Sequence, residues 1–113
     1  MVIVDLMLAL ICFNGNCHPV LIGENTPKGE FQLVHKLTDQ PGYDGHVLEF
    51  LETSNISYAV HKLFLLDKEQ HRDKRIKSLN VKDRIITDGC INVTEEVFNE
   101  LVSCCESDKI KIE

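Results

Sequence analysis

The chain has 113 residues, of which 43% are hydrophobic and 27% charged, and its formal net charge is −6. This composition excludes a disordered or fibrous protein, and the length predicts one domain over residues 1–113, because two halves would each bury too little apolar surface to fold alone. The acidic balance argues against nucleic acid as a partner, since binding a phosphate backbone requires clustered Lys and Arg.

The N-terminal stretch, residues 1–13, is apolar but predicts buried strands rather than a signal peptide. It lacks a positively charged start, contains Asp5 and runs directly into an Asn-Gly turn. It is also too short to cross a bilayer as a helix. We therefore expect no membrane insertion, and no export signal is visible in this stretch.

The dipeptide Asn14-Gly15 is the strongest turn signal in the chain and predicts a β-hairpin whose return strand covers residues 17–22. A two-residue loop at this point sets Cys12 opposite Cys17, where the two strands come closest. A disulfide between these cysteines is therefore feasible in an oxidising compartment, and two free buried thiols are an equal alternative.

The rest of the chain predicts short strands, one charged segment and one helix. Strands are expected over residues 30–36, 46–52, 57–66, 84–86 and 110–112. Residues 67–80 are rich in charged side chains and predict a solvated helix or lid. Thr94 can cap a helix that has acidic residues in its first turn. The predicted fold class is mainly β, a small β-sandwich or partly open barrel with one helix.

Cys90 is the strongest candidate nucleophile on local grounds. Gly89 permits a sharp turn that would expose the sulfur, and the capped helix begins just downstream, where the pKa of a thiol can be lowered. Backbone N–H groups of this turn could bind an oxyanion. The chain has five cysteines, so disulfides among the other four would leave Cys90 unpaired. A small buried structural cysteine is the alternative interpretation.

Five histidines compete for the role of general base. His61 ends the apolar sequence Tyr58-Ala59-Val60-His61, where a strand would hold its ring rigidly, as a base requires; a hydrogen-bonded core histidine is the alternative. His71 lies in the charged segment and is the fallback base. No Cys or His spacing matches a closed zinc site, so we expect neither a metal nor another cofactor.

Three separated motifs occur in the order found in the catalytic domain of L,D-transpeptidases. Residues 26–31, Thr-Pro-Lys-Gly-Glu-Phe, resemble the family's Thr-Pro-x-Gly-x-Phe segment, and residues 58–61 resemble the strand that holds its histidine. Residues 87–92, Thr-Asp-Gly-Cys-Ile-Asn, resemble its Ser/Thr-x-Gly-Cys-Ile-Arg/Asn signature. The resemblance covers nearly the whole chain and implies the small, mainly β fold of that domain, with a helix after the cysteine.

The resemblance also implies a cysteine acyltransferase that acts on the stem peptides of peptidoglycan. Cys90 would attack the carbonyl between diaminopimelate and D-alanine, and His61 would act first as a base and then as an acid. Backbone N–H groups near Gly89 would stabilise the oxyanion. The resulting thioester would be resolved by an amine, giving a 3→3 cross-link or D-amino acid exchange, or by water.

Three further residues near the signature are expected to contact substrate or to orient the loop: Arg84, Asp88 and Asn92. Asp88 stands where the family commonly has a histidine. A carboxylate beside the nucleophile should raise the pKa of the thiol unless it points away or pairs with Arg84 or His61.

The implied substrate places the protein in the periplasm or cell envelope. Two alternatives stay open at this point. The first is an effector with the same chemistry, delivered into the envelope of a rival bacterium as an L,D-carboxypeptidase or exchange toxin. The second, of another class, is a cell-wall binding module that keeps the fold without turnover. The oligomeric state is not predicted.

Overall fold

The computed structural model describes all 113 residues, which form nine strands in two sheets. The strands are β1 (Val2–Asp5), β2 (Leu10–Phe13), β3 (Asn16–Pro19), β4 (Gly29–Gln32), β5 (Val34–Leu37), β6 (His46–Glu52), β7 (Ser57–Lys62), β8 (Ile91–Val93) and β9 (Lys109–Ile112). The helices are α1 (Arg72–Arg75) and α2 (Glu95–Cys105), with 3-10 turns at Lys68–Gln70 and Val81–Arg84. The predicted fold class, mainly β with one helix after the cysteine, is confirmed.

Both sheets mix parallel and antiparallel pairs. The first has the order β3-β2-β1-β9-β4, and β1 runs parallel to β9. The second has the order β5-β6-β7-β8, and β7 runs parallel to β8. Their apolar faces share one core with Phe98 and Leu101 of α2, both completely buried. The parallel β7–β8 pair positions the candidate site, because Cys90 directly precedes β8.

Helix α2 forms as its sequence pattern predicts. The Thr94 hydroxyl accepts a hydrogen bond from the Val97 N–H (3.3 Å), and two acidic residues occupy the first turn, where the helix dipole favours them. The buried side chains follow helical spacing: Val97, Phe98, Leu101 and Cys105. No helix of the fold combines the length and apolar character that a membrane crossing needs.

Four of the five cysteines are paired. The hairpin register sets Cys12 directly opposite Cys17, and a disulfide joins them with a Cα–Cα distance of 4.1 Å. A second disulfide joins Cys104 and Cys105, and Cys90 is the one free cysteine.

The predicted strand over residues 30–36 is wrong as a single element. The chain forms β4 against β9 in the first sheet and then β5 against β6 in the second. Leu33 lies between the two strands and is 2% exposed. The chain therefore changes sheets at a side chain that is buried in the shared core.

Three other strand predictions differ from the structure at their ends or in kind. No strand forms over residues 84–86. Arg84 ends a 3-10 turn that Asn80 caps by accepting a hydrogen bond from the Lys82 N–H (3.0 Å), and Ile85 makes only a single β-bridge to Ile22. Strand β7 ends at Lys62 rather than continuing to residue 66, and β3 ends at Pro19 rather than at residue 22. After Pro19 the Val20 N–H still donates to the Ala9 carbonyl (3.0 Å), and Leu21 and Ile22 then pair with Asn92 and Ile85 instead of with β2, which ends β3.

Candidate active site

The register of the β7–β8 pair brings Cys90 and His61 to one face of the second sheet. His61 pairs directly with Asn92, and Cys90 lies two residues before Asn92. Residues two apart on a strand share a face, so the two candidate catalytic side chains point to the same side. From the usual strand spacing and rise their Cα atoms are separated by roughly 8 Å.

Two open clefts meet at this pair of side chains. We call the first the Arg72 cleft; its volume is about 360 Å³, and Arg72 and Asp88 help to line it. We call the second the Lys36 cleft; its volume is about 220 Å³. Cys90 and His61 line both clefts, so a substrate in either would contact them.

The Cys90 thiol is partly buried and hydrogen-bonds to the sheet. The sulfur donates to the Ser57 carbonyl at 3.8 Å. Burial raises the pKa of the thiol; a hydrogen bond from the Ala59 backbone N–H and the positive charge of Arg72 oppose this, and the Asp88 carboxylate adds to it. The net pKa of Cys90 lies above its ordinary value, so the resting form at neutral pH is the thiol.

The N-terminus of α2 does not activate Cys90. We expected the capped helix to begin beside the thiol, but the three residues of β8 separate them. At about 3.3 Å per strand residue this is roughly 10 Å, and the field of a helix terminus falls off within one turn. The charged group that lowers the pKa of the thiol is therefore Arg72, not the helix.

The turn before Cys90 is built around Gly89, whose φ is +123°. A Cβ atom at this position would lie 2.5 Å from the Tyr58 ring. The Thr87 hydroxyl donates to the Cys90 carbonyl (2.6 Å) and accepts from the Gly89 N–H (3.2 Å). The Gly89 N–H is thus engaged within the turn, whereas the Cys90 N–H has no partner in the protein and is free for an oxyanion.

His61 is a buried, neutral imidazole with a fixed tautomer. It is 2% exposed, and its Nδ1 lies 2.6 Å from the Lys62 carbonyl, which can only accept, so Nδ1 carries the proton. Burial lowers the pKa of His61 to about 4; the Lys62 carbonyl opposes this shift and the charge of Arg72 adds to it. Nε2 therefore keeps a lone pair at neutral pH and can accept a proton.

Asn92 is completely buried and contacts other residues of the site. Its Oδ1 accepts from the Phe64 N–H (3.1 Å) and from Arg72 Nη1 (3.0 Å), and its Nδ2 lies 3.5 Å from His61 Nε2. Because the side chain is sealed from solvent, we assign it to orienting Arg72 and His61 rather than to touching substrate.

The structure places Arg84 away from the clefts. Its side chain is buried and donates to the carbonyls of Leu8 (2.7 Å), Ala9 (3.4 Å) and Ser78. These bonds tie the loop after β1 to the turn before Cys90. Of the two roles expected for Arg84, contact with substrate or orientation of the loop, its buried position favours the second.

Asp88 and His71 are both exposed but lie in different places. Asp88 lines the Arg72 cleft and forms no ion pair with Arg84 or His61, the two partners considered from the sequence. His71 lies in a separate surface depression between the turn Lys68–Gln70 and α1. The structure does not bring the fallback base to Cys90.

Arg72 is the site residue that the sequence did not single out. It belongs to the charged segment, residues 67–80, which predicted only a solvated surface. Its guanidinium contacts Asn92, an interaction between residues far apart in the sequence that no local pattern encodes. The long stretch of chain between His61 and Cys90 was the available signal that this segment serves the site.

Comparison with solved structures finds similar folds. This chain matches an L,D-transpeptidase from Xylanimonas cellulosilytica with a TM-score of 0.63 and 14% identity, over 99% of this chain and 59% of that one. The L,D-transpeptidase from Stackebrandtia nassauensis gives 0.60 and 14%, over 99% and 54%. L,D-transpeptidase 1 of Mycobacterium tuberculosis gives 0.58 and 15%, over 99% and 60%.

Comparison by sequence identifies no relatives: no family model and no curated protein matches the chain. The chain spans little more than half the length of the similar structures. Their number and agreement nevertheless confirm the fold that the sequence motifs predicted. The chain therefore has the fold of L,D-transpeptidases.

Proposed function

We propose that this protein is a cysteine acyltransferase of the L,D-transpeptidase type, acting on peptidoglycan stem peptides. The observation that carries the proposal is the placement of one free thiol, Cys90, and one neutral buried imidazole, His61, on the same face of the β7–β8 pair. Both side chains line the two clefts that a peptide could occupy. The fold shared with L,D-transpeptidases supports the choice of substrate.

In the first half-reaction the Cys90 sulfur attacks the carbonyl carbon between the L-centre of diaminopimelate and D-alanine. Its proton passes to Nε2 of His61, and the negative charge that develops on the carbonyl oxygen is stabilised by the free Cys90 N–H. When the C–N bond breaks, the His61 imidazolium returns the proton to the nitrogen of the leaving D-alanine. The product is a thioester on Cys90.

In the second half-reaction an acceptor attacks the thioester carbonyl and gives a proton to His61, and the Cys90 sulfur leaves and is reprotonated. A side-chain amine of another stem gives a 3→3 cross-link, a D-amino acid gives exchange, and water gives hydrolysis. No cofactor takes part in any of these routes. The substrate puts the activity in the periplasm or cell envelope, whichever route delivers the protein there.

The resting pKa values decide how the nucleophile is activated. The pKa of Cys90 is raised and that of His61 is lowered, so the neutral thiol and neutral imidazole are favoured over an ion pair. Proton transfer must therefore accompany the attack on the carbonyl. General-base assistance of this kind contributes about 10²- to 10⁴-fold in rate.

A non-catalytic cell-wall binding module is the second candidate, and a specific observation favours it. The thiol donates to the Ser57 carbonyl rather than to His61, and both burial and Asp88 raise its pKa. Catalytic hydrogen bonds often form only in the substrate complex, so the resting geometry leaves the enzyme as the stronger proposal.

The test is incubation with a disaccharide tetrapeptide, followed by chromatography and mass spectrometry of the products. We expect the wild-type protein to release D-alanine and the folded variants Cys90→Ala and Cys90→Ser not to do so. Release that persists in Cys90→Ala would contradict the assignment of the nucleophile. Binding of the muropeptide without release of D-alanine would establish the binding module instead.

A further inference from the structure

Arg72 is a half-buried cation that has no acidic partner. No Asp or Glu oxygen lies within ion-pair distance of its guanidinium, in contrast to Lys36, which contacts Glu49 at 2.7 Å and Glu52 at 3.3 Å. Burial lowers the pKa of Arg72, and the nearby Asp88 and Asp67 carboxylates oppose this shift without forming an ion pair. A partly desolvated positive charge without an ion-pair partner is a site where an anionic ligand can bind.

The orientation of this guanidinium is fixed by neutral groups. Its Nε donates to Gln70 Oε1 (2.8 Å), its Nη1 donates to Asn92 Oδ1 (3.0 Å), and the group lies 5.5 Å from the centre of the Phe64 ring. Its Nη2 makes no hydrogen bond within the protein and is not sealed from solvent. The guanidinium is thus held in place while the N–H donors of Nη2 stay free. This arrangement can bind a carboxylate.

Arg72 is also the single cation that lines its cleft. Asp67 and Asp88 line the same cleft, and His61 is neutral at neutral pH. An anion in this cleft would be repelled by the two carboxylates and attracted by the guanidinium alone. The charges therefore favour one position for a carboxylate. This position is next to Arg72, in the cleft that Cys90 also lines.

We propose that Arg72 binds the terminal carboxylate of the leaving D-alanine and makes the protein specific for stems that end in a free carboxylate. The inference rests on the function proposed above. In the tetrapeptide this carboxylate is separated from the scissile carbonyl only by the amide nitrogen and one carbon. A group that binds it must therefore lie in the cleft of the nucleophile, as Arg72 does.

Binding to an inactive protein tests the inference without requiring turnover. The probes are the tetrapeptide L-Ala–γ-D-Glu–diaminopimelate–D-Ala and the same peptide with its terminal carboxylate converted to a carboxamide, measured by calorimetry with Cys90→Ala. We expect the carboxylate form to bind about tenfold more tightly or better, the gain typical of a charge-assisted hydrogen bond. Equal affinity for the two peptides would overturn the inference, whatever Arg72 variants do.

Substitution at Arg72 then assigns the preference to this residue. Arg72→Gln in the Cys90→Ala background should reduce the preference for the carboxylate to near unity by weakening only the carboxylate peptide. Lys74→Gln, which removes one positive charge from the same segment outside the cleft, should retain the preference. A preference that survives in folded Arg72→Gln would overturn the assignment to Arg72.

The acyltransferase proposal and the Arg72 proposal are tested by different measurements, so either can be wrong without the other. Release of D-alanine by the wild-type protein reports on the acyltransferase, whereas the ratio of the two affinities reports on Arg72. A purely structural role of Arg72, through Asn92, would weaken both peptides equally and leave that ratio unchanged.

Discussion

The two walls around Cys90 are constructed differently. The sheet wall, β7 and β8, is held by the backbone ladder, and its side chains His61 and Asn92 are buried. The charged segment, residues 67–80, has only a 3-10 turn and the four-residue helix α1, held largely by local bonds such as that from Arg75 Nε to the Gln70 carbonyl (2.9 Å).

On the proposed function, the sheet wall would carry out the chemical step and the charged segment would bind the substrate. The proposed proton acceptor, His61, lies on the wall that a strand ladder holds rigidly, and rigid placement is what a general base requires. The unpaired cation lies on the wall with few buried side chains and no ladder, where local opening costs less free energy. Changes in the sheet wall should therefore reduce the rate of the chemical step, and changes in the charged segment should affect mainly affinity and specificity.

Removing the proposed base should produce the largest effect. His61→Gln is expected to lower kcat/KM for release of D-alanine by about 10²- to 10⁴-fold, because His61 is the one histidine that lines the clefts with Cys90. His71→Gln, the matched change in the charged segment, should leave kcat/KM within about twofold, since surface changes away from a site are usually small. The reverse result would move the base to the charged segment and remove the distinction between the two walls.

The sheet wall should also be sensitive to acid. The pKa of His61 is about 4 in the fold and 6.5 unperturbed, so between these values the unfolded chain binds more protons at this position. His61 therefore stabilises the fold less and less as the pH falls from 6.5 towards 4, by about 3 kcal/mol in all.

Denaturant unfolding at several pH values measures this contribution. His61→Gln should lose less stability than the wild-type protein over that range, because it carries no titrating imidazole at this position. The comparison removes the parallel contribution of His46, whose pKa burial also lowers. A wild-type protein that loses no more stability than His61→Gln would mean that the ring is solvated rather than buried.

The smallest expected effects concern the thiol itself and have opposite signs. The Asp88 carboxylate raises the pKa of Cys90 and the Arg72 guanidinium lowers it. At neutral pH, Asp88→Asn should therefore speed alkylation of Cys90 by iodoacetamide, and Arg72→Gln should slow it, each by roughly two- to fivefold.

Asp73→Asn is the matched control for this alkylation assay, because Asp73 lies outside the Arg72 cleft and does not affect the pKa of Cys90. It should leave the rate unchanged. If Asp88→Asn slowed alkylation, the carboxylate would be acting on the thiol through something other than its charge.

Local sequence patterns predicted several individual elements of the fold. The Asn-Gly turn, the apolar strand that ends at His61, the Gly89 turn and the Thr94 cap each depend on neighbouring residues, and each is present in the structure. The sequence motifs also predicted the overall fold. These features are local, and their physical causes are therefore visible in short windows of sequence.

Contacts between distant segments could not be predicted in the same way. The interaction of Arg72 with Asn92 and of Arg84 with Leu8 joins residues that no periodicity relates. The change of sheet at Leu33 likewise depends on where the other strands lie. For this reason the sequence suggested Arg84 as a residue that contacts substrate or orients the loop, whereas the structure places Arg72, and not Arg84, in a cleft with Cys90.

The central claim is that Cys90 carries the acyl group, and intact-protein mass spectrometry tests it most directly. The wild-type protein, mixed with tetrapeptide and quenched in acid, should gain the mass of the tripeptide acyl group, equal to the tetrapeptide minus D-alanine. Proteolysis should locate that mass on the peptide that contains Cys90, and hydroxylamine should remove it, as expected of a thioester. A folded protein that binds the tetrapeptide but gains no such mass, or gains it elsewhere, would contradict the account.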